Sequence, residues 1–177
     1  FWRYLAKLSA GFDVTIAPGA VFSRRLERYG VLRPLACPLG VDRAHFNPDL
    51  RDEQVRLQML AACGVRDPAA PLFVAVSRHH PEKRLPMMMR AFAKFSAERP
   101  AALYLIGDGP LWRSVTAQAS RIPGVAVAGP VTDRAIIAAR LASADYFVHG
   151  GAAETFGLVV AEALASGVPI VAPDQGG

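Results

Sequence analysis

The stretch DYFVHGGAAETFGLVVAEALASGVPIVAP, residues 145–173, decides the fold class. Its first six residues form the short apolar run that is typical of a buried strand, and a glycine-rich loop follows. Residues 156–166 have the length and composition of a helix, which Gly167 ends, and residues 169–173 form another short apolar run. A strand, a helix and a second strand in this order predict a βαβ unit with parallel strands.

The same alternation extends upstream of this unit. Short apolar runs predict three more strands, and amphipathic segments separate them from one another and from the unit above. The predicted strands are 71–77, 102–107 and 124–129, and the predicted helices are 85–99, 111–121 and 133–144. Together the five strands and four helices predict an α/β fold with a doubly wound, Rossmann-like parallel sheet.

The first seventy residues are less regular. They predict strands at 13–18 and 34–40 around a helix at 19–30, and a polar linker with Pro48 leads into a helix at 53–64. This part is too short for a whole α/β domain. We therefore expect residues 1–47 to be the end of an N-terminal Rossmann-like domain with its linker, and residues 48–177 to be a second domain. The chain begins at Phe1 without a methionine, so we expect it to be part of a longer protein.

The bulk properties restrict the function classes. The 177 residues carry a net charge of +5, but the basic residues are scattered and no stacked-aromatic pattern accompanies them, which argues against nucleic acid as a partner. An anionic small ligand or an anionic membrane surface suits the charge equally well. No apolar run approaches the roughly 18 residues of a membrane-spanning helix.

Several residues carry no predicted chemistry. His79 and His80 are expected on the surface, and no cluster of further ligands beside them predicts a metal site. Residues 107–109 are expected to form a plain turn, because the third glycine of a dinucleotide fingerprint is missing and no Walker lysine motif occurs. Cys37 and Cys63 are predicted to be free thiols in a reducing, cytoplasmic compartment.

Charged and glycine residues follow the carboxyl ends of the predicted strands, where open α/β sheets bind their ligands. Arg78 and Lys83 follow the strand at 71–77. Glu154 precedes a helix start near Gly157, whose free backbone N–H groups attract anions. A phosphate there, held by two cations and followed by a sugar on one side and a ribose on the other, is the layout of a nucleotide-sugar.

Glu162 lies inside that helix, about one and a half turns after Gly157. An exposed position is the simple interpretation, but its apolar neighbours argue against it, because a carboxylate in such surroundings is costly without a partner. Glu154 also has a simple interpretation, since a helix dipole favours an acidic residue near the helix start. Arg78 and Lys83 are equally compatible with ordinary solvated loop charges.

Four stretches of the sequence closely resemble family 4 glycosyltransferases of the GT-B fold. They are PLGVDRAHFNP (38–48), SRHHPEKRL (77–85), LYLIGDGPL (103–111) and ETFGLVVAEALASGVPIVAPDQGG (154–177). Glu154 and Glu162, with seven residues between them, match the E-x7-E signature of that family. The resemblance implies the tail of the acceptor domain over 1–47 and a donor-binding C-terminal domain over 48–177 that stops short of the usual C-terminus.

The resemblance also implies a role for each matching residue. Arg78 and Lys83 match the pair that holds the donor diphosphate and stabilises it as the leaving group. Glu154 matches the glutamate that contacts the transferred sugar near the reacting carbon, which makes these three the expected catalytic residues. Glu162 matches the glutamate that binds the ribose.

Backbone groups complete the implied donor site. Phe156, Gly157 and Leu158 match the segment whose amides meet the sugar or the phosphate. Gly129 and Val131 lie where the family usually seats the base. The chain has GGAA before the first glutamate where the family often has serine or proline, which leaves the wall of the sugar pocket small.

By resemblance, the protein transfers a hexose from GDP-mannose or a UDP-hexose to a lipid or saccharide acceptor. Transfer is expected to retain the anomeric configuration and to need neither a metal nor a cofactor. The expected location is the cytoplasm, with peripheral contact at the inner face of the membrane, and the chain alone is expected to be inactive. Two alternatives stay open: a GT-B sugar-nucleotide epimerase, and a non-catalytic nucleotide-binding module.

Overall fold

The structure is a computed structural model that describes residues 1–151 and 156–174. These residues form two compact units. The first consists of residues 1–40, with which residues 156–158 group, and the second consists of residues 41–151 and 159–174. The assignment of these parts to an acceptor and a donor domain stays a prediction.

The first unit contains two helices and a small parallel sheet. The elements are α1 (Trp2–Ser9), β1 (Ile16–Ala17), α2 (Ala20–Arg28) and β2 (Leu35–Ala36). Ile16 pairs with Leu35 and Ala17 with Ala36, so the strands are parallel. Ala17, Leu26 and Val31 form the buried core. Both predicted strands and α2 are confirmed, whereas α1 had no counterpart in the sequence-based prediction.

The second unit alternates strands and helices as the sequence predicts. Its elements are α3 (Glu53–Ala62), β3 (Leu72–Val76), α4 (Leu85–Ser96), β4 (Ala102–Ile106), α5 (Trp112–Ala119), β5 (Val125–Val127), α6 (Arg134–Ala142), β6 (Tyr146–Val148), α7 (Leu158–Ala165) and β7 (Ile170–Val171). All five predicted strands and all four predicted helices of this region are present. Short 3-10 helices at Pro48–Leu50 and Pro81–Lys83 precede α3 and α4.

The five strands β3 to β7 form one parallel sheet in the order β5-β4-β3-β6-β7. Apolar side chains along β3 alternate between two buried clusters, with Leu72 and Val74 in one and Phe73 and Ala75 against the other. The first cluster includes residues of α3, α6 and α7, and the second includes residues of α4 and α5. Helices therefore cover both faces of the sheet, which confirms the predicted doubly wound α/β fold.

The helix starts are fixed by side chains that the sequence supplies at the expected positions. Asp52 accepts hydrogen bonds from the backbone N–H groups of Gln54 and Val55 at the start of α3, and Asp133 accepts one from Ala135 at the start of α6. Such N-caps contribute about 1 kcal/mol each. None of the helices that the structure describes is both long enough and apolar enough to cross a membrane.

Candidate functional site

The order of the strands creates a switch point between β3 and β6. The chain runs from β3 to β4 and β5 on one side, and then returns to the other side of β3 with β6 and β7. Connections therefore leave the carboxyl ends of β3 and β6 in opposite directions, which opens a crevice between the loops that follow these strands. Open α/β sheets bind ligands in such a crevice, and two of the predicted site residues, Arg78 and Lys83, lie on the segment that follows β3.

The loop after β3 is fixed by backbone hydrogen bonds to the turn after β4. Ser77 N donates to the Ile106 carbonyl at 3.0 Å, and His79 N donates to the Asp108 carbonyl at 2.7 Å. Gly107 has a φ of 136°, and a Cβ there would lie 1.9 Å from the Ser77 carbonyl oxygen. Only glycine fits this approach, so residues 107–109, interpreted as a plain turn, also position the loop that carries Arg78.

Arg78 lies on the exposed side of this loop. Its Nη2 is 3.3 Å from Glu82 Oε1, and the side chain of Arg78 is 76% exposed. His80 Nδ1 lies 3.6 Å from the same carboxylate oxygen. An ion pair this exposed contributes at most about 1 kcal/mol. An incoming dianion could therefore displace Glu82 from Arg78 at small cost.

The end of β6 packs closely against the backbone that precedes α4. A Cβ at Gly150 would lie 2.6 Å from the Lys83 carbonyl oxygen and 2.6 Å from Met88 Sδ, and a Cβ at Gly151 would lie 3.6 Å from the Glu82 carbonyl oxygen. The half-buried Lys83 ends the 3-10 helix, where its backbone N–H donates to the His80 carbonyl at 2.9 Å. The structure thus brings the loop of Arg78 and Lys83 into contact with the end of β6.

His79 is not on the surface, and that prediction was wrong. The side chain is 0% exposed, and its ring stacks on the Trp112 ring with 5.5 Å between centroids and 10° between planes. Two backbone hydrogen bonds, His79 N to the Asp108 carbonyl and Leu111 N to the His79 carbonyl, hold residue 79 beneath the turn after β4. Neither ring nitrogen has a hydrogen-bond partner among the described residues. Burial lowers the pKa of the imidazole below 6.5, although the nearby Asp108 carboxylate acts in the opposite direction.

Glu162 lies on α7 and is largely shielded, with 13% of its side chain exposed. Its Oε1 accepts a hydrogen bond from Arg134 Nη2 at 2.8 Å. The sequence analysis did not single out Arg134, which is the first residue of α6 and lies 28 positions upstream. One feature of the sequence indicates that Arg134 has a partner. A cation in the first turn of a helix is disfavoured by the helix dipole, so a nearby carboxylate is expected.

The other predicted residues have the following placements. Glu154 lies outside the described residues. Phe156 and Leu158 are exposed, and Gly157 immediately precedes α7 with a φ of 63°, a conformation that favours glycine.

Gly129 and Val131 follow β5, on the same edge of the sheet as the loop after β4. Gly129 is buried with a φ of 78°, and its carbonyl accepts a hydrogen bond from Gly107 N at 2.9 Å. Val131 is half-buried and packs against the core cluster that contains residues of α6 and α7. The backbone after β5 is therefore joined to the turn after β4.

Within residues 1–151 and 156–174, no group of three or more His, Cys, Asp or Glu side chains is arranged to hold a metal ion. Arg78 and Lys83, on the segment after β3, carry positive charges of the kind that bind anions, and the Glu162 carboxylate on α7 is a hydrogen-bond acceptor.

Comparison with known proteins identifies related sequences and structures. Residues 70–177 match the family "Glycosyl transferases group 1". The chain is 34% identical over 176 residues to a GDP-mannose-dependent alpha-mannosyltransferase of Mycolicibacterium smegmatis, covering 99% of the chain and 43% of that protein. It is 31% identical over 179 residues to the sulfoquinovosyl transferase SQD2 of Arabidopsis thaliana, covering 99% of the chain and 33% of that protein. The chain thus spans less than half the length of these curated relatives.

Solved structures share the fold. The crystal structure of Anabaena HepE in complex with UDP and glucose matches 99% of this chain and 48% of that chain, with a TM-score of 0.79 and 21% sequence identity. At this identity the likeness establishes the fold alone, which is the α/β fold of GT-B proteins.

Proposed function

Starting from the fact that the chain belongs to the group 1 glycosyl transferases, we propose that it supplies the donor-binding part of a hexosyltransferase that uses a nucleotide-sugar. The proposed donor is GDP-mannose or a UDP-hexose, and the proposed acceptor is a lipid or a saccharide. The dependence of the Mycolicibacterium smegmatis relative on GDP-mannose favours GDP-mannose.

One observation carries this proposal. At the switch point of the sheet, the loop of Arg78 and Lys83 packs against the end of β6. The contact is so close that no side chain larger than the hydrogen of glycine fits at Gly150. The loop after β3 and the end of β6 are far apart in the sequence but adjacent in the fold. Their proximity supports the proposal that both segments bind one ligand. Two cations beside a crevice at the carboxyl edge of a parallel sheet suit a diphosphate.

In the proposed reaction, the bond between the anomeric carbon and the diphosphate oxygen breaks. The acceptor oxygen bonds to the same face of that carbon, so configuration is retained, and the acceptor proton passes to the leaving diphosphate. Arg78 and Lys83 stabilise the charge that develops on the diphosphate, and the backbone N–H groups around Gly157 at the start of α7 assist them. Electrostatic stabilisation by these groups replaces a metal ion.

The remaining proposed contacts orient the donor. Glu154 faces the sugar and stabilises positive charge at the anomeric carbon. Glu162 accepts hydrogen bonds from the ribose hydroxyls. The backbone at Gly129 and Val131 lies along the base, while the amides of residues 156–158 meet the sugar or the phosphate. Peripheral contact with the inner face of a membrane would bring a lipid acceptor to this site.

Calorimetric titration of the chain, and of the intact gene product, with UDP, GDP and GDP-mannose tests the donor site. We expect saturable binding of one base, weakened about 10- to 100-fold by Lys83→Ala and by Glu162→Ala, because each change removes a charge-assisted hydrogen bond. Lys94→Ala and Glu98→Ala are matched controls, since both residues are exposed on or just after the last turn of α4.

Different results would refute the assignment of the site residues and the proposed function. Unchanged affinity in both site variants would refute the site assignment. If the intact gene product bound none of the three nucleotides, the proposed function itself would be refuted. Incubation with labelled donor and a lipid or saccharide acceptor distinguishes transfer from epimerisation, because an epimerase changes the sugar without passing it on.

A further inference from the structure

Arg134 and Glu162 join two helices on one face of the sheet. Arg134 Nη2 lies 2.8 Å from Glu162 Oε1, and Arg134 opens α6 while Glu162 lies in the middle of α7. The exposures of the two side chains differ sharply, at 60% for Arg134 and 13% for Glu162. An exposed guanidinium is therefore paired with a carboxylate that is largely shielded from solvent.

The guanidinium of Arg134 is itself held in place. Its central carbon lies 5.0 Å from the centre of the Phe46 ring, and Phe46 is 0% exposed. The helix that carries Arg134 is anchored at both ends, by the Asp133 cap and by Ser143, whose Oγ accepts a hydrogen bond from Asp52 N at 3.0 Å. A stacked guanidinium on an anchored helix loses little further entropy when it binds a carboxylate.

The position of Arg134 has an electrostatic cost. A cation in the first turn of a helix is disfavoured by the macrodipole. The carboxylate of Glu162 offsets that cost, and in return Arg134 neutralises a carboxylate that the apolar surroundings would otherwise penalise. Among the described residues, the only hydrogen bond to the Glu162 carboxylate is the one that Arg134 donates to Oε1, so the second oxygen, Oε2, has no hydrogen-bond partner among them.

We propose that Arg134 is a positioning residue of the donor site: it fixes the Glu162 side chain so that the second carboxylate oxygen accepts a hydrogen bond from a ribose hydroxyl. This inference rests on the proposed function. It assigns to Arg134 no direct contact with the reacting atoms. A pair that only stabilised the fold would affect stability but would not distinguish ligands by their ribose hydroxyls.

The test compares a nucleoside diphosphate with its 2′,3′-dideoxy analogue, using the base that the wild-type protein prefers. Arg134→Met should weaken binding of the ribonucleotide about tenfold, and binding of the dideoxy analogue less than twofold. Glu162→Gln should show the same selectivity. The double variant should bind no more weakly than Glu162→Gln alone, because both changes remove one interaction.

Arg99→Met is the matched control. The guanidinium of Arg99 also lies 5.0 Å from the centre of a phenylalanine ring, that of Phe95. Its replacement removes an arginine stacked on an aromatic ring without touching Glu162, and it should leave both affinities unchanged. The thermal unfolding midpoint of every variant is measured without ligand, and Arg134→Lys serves as a second variant that keeps the charge and should recover part of the affinity.

The outcomes separate this inference from the proposed function. Equal losses for the ribonucleotide and the dideoxy analogue, or no loss in Arg134→Met while Glu162→Gln still loses affinity, would overturn the positioning role and leave the proposed function intact. Absence of nucleotide binding by the wild-type intact protein would overturn both.

Discussion

Replacing His79 by phenylalanine should stabilise the second unit. The imidazole is completely buried, and neither of its nitrogens has a hydrogen-bond partner among the described residues. A buried polar group left unpaired costs roughly 1–3 kcal/mol. Phenylalanine is of similar size and can keep the stacking on Trp112. We therefore expect the free energy of unfolding to rise by about 1–2 kcal/mol at neutral pH.

The same substitution should make the protein less sensitive to acid. Burial lowers the pKa of His79 below 6.5, the value that we take for the unfolded chain. Below pH 6.5 the unfolded chain therefore binds a proton before the folded protein does. The stability is complete above pH 6.5 and declines as the pH falls toward the lowered pKa of the folded state. The advantage of His79→Phe should accordingly grow between pH 7.5 and pH 5.5.

Urea unfolding followed by circular dichroism at pH 7.5, 6.5 and 5.5 measures both effects. His45→Phe is the control, because His45 is exposed and pairs with Asp42 on the surface. The control should change the free energy of unfolding by less than about 0.5 kcal/mol. If His79→Phe were no more stable than the wild type at pH 7.5 and showed the same pH dependence, the buried imidazole without hydrogen-bond partners among the described residues would not be destabilising, and the reasoning would be refuted.

Two further predictions concern the thiols and the buried ion pair. Burial raises the pKa of Cys63 to about 12, so at pH 8 only the exposed Cys37 should react with a thiol reagent in the folded protein. Cys37→Ser should therefore abolish the fast reaction. A fast reaction at Cys63 would contradict its burial. Asp145→Asn should lower the free energy of unfolding by about 3 kcal/mol, because Asp145 Oδ2 lies 3.1 Å from Nη1 of the buried Arg56. Urea unfolding beside the exposed Asp49→Asn checks this, and equal stability of the two variants would show that the Asp145–Arg56 pair does not stabilise the fold, since Arg56 also donates to the Pro68 and Ala70 carbonyls.

The sequence was most informative where each residue's own neighbours determine the structure. Strands buried on both faces must be apolar along their whole length, so the run at 71–77 predicted β3 within two residues of its bounds at Leu72 and Val76. The helix α1 has apolar residues at helical spacing, Trp2, Leu5 and Ala6, which pack against the core of the first unit, but no signal marks its start. Its N-cap is Phe1, which offers no capping side chain, and none of its residues is buried.

The placement of His79 could not be predicted from its neighbours. It lies between two polar residues in a loop, where a histidine is normally solvated. Its burial depends on the turn after β4, whose backbone binds both the N–H and the carbonyl of residue 79. A contact between segments about thirty positions apart leaves no pattern in either segment.

The same limit applies to Glu162, the second carboxylate of the predicted E-x7-E motif. The spacing of Glu154 and Glu162 predicts the motif by resemblance, and the apolar residues around Glu162 indicate that its charge needs a partner. The partner, Arg134, comes from another helix and lies outside every motif that we identified. The sequence pattern thus predicted the carboxylate, while the positive charge that stabilises it is supplied by the tertiary structure. A transplant of residues 154–177 onto a related sheet without an arginine at the start of the neighbouring helix would therefore leave Glu162 shielded and unpaired.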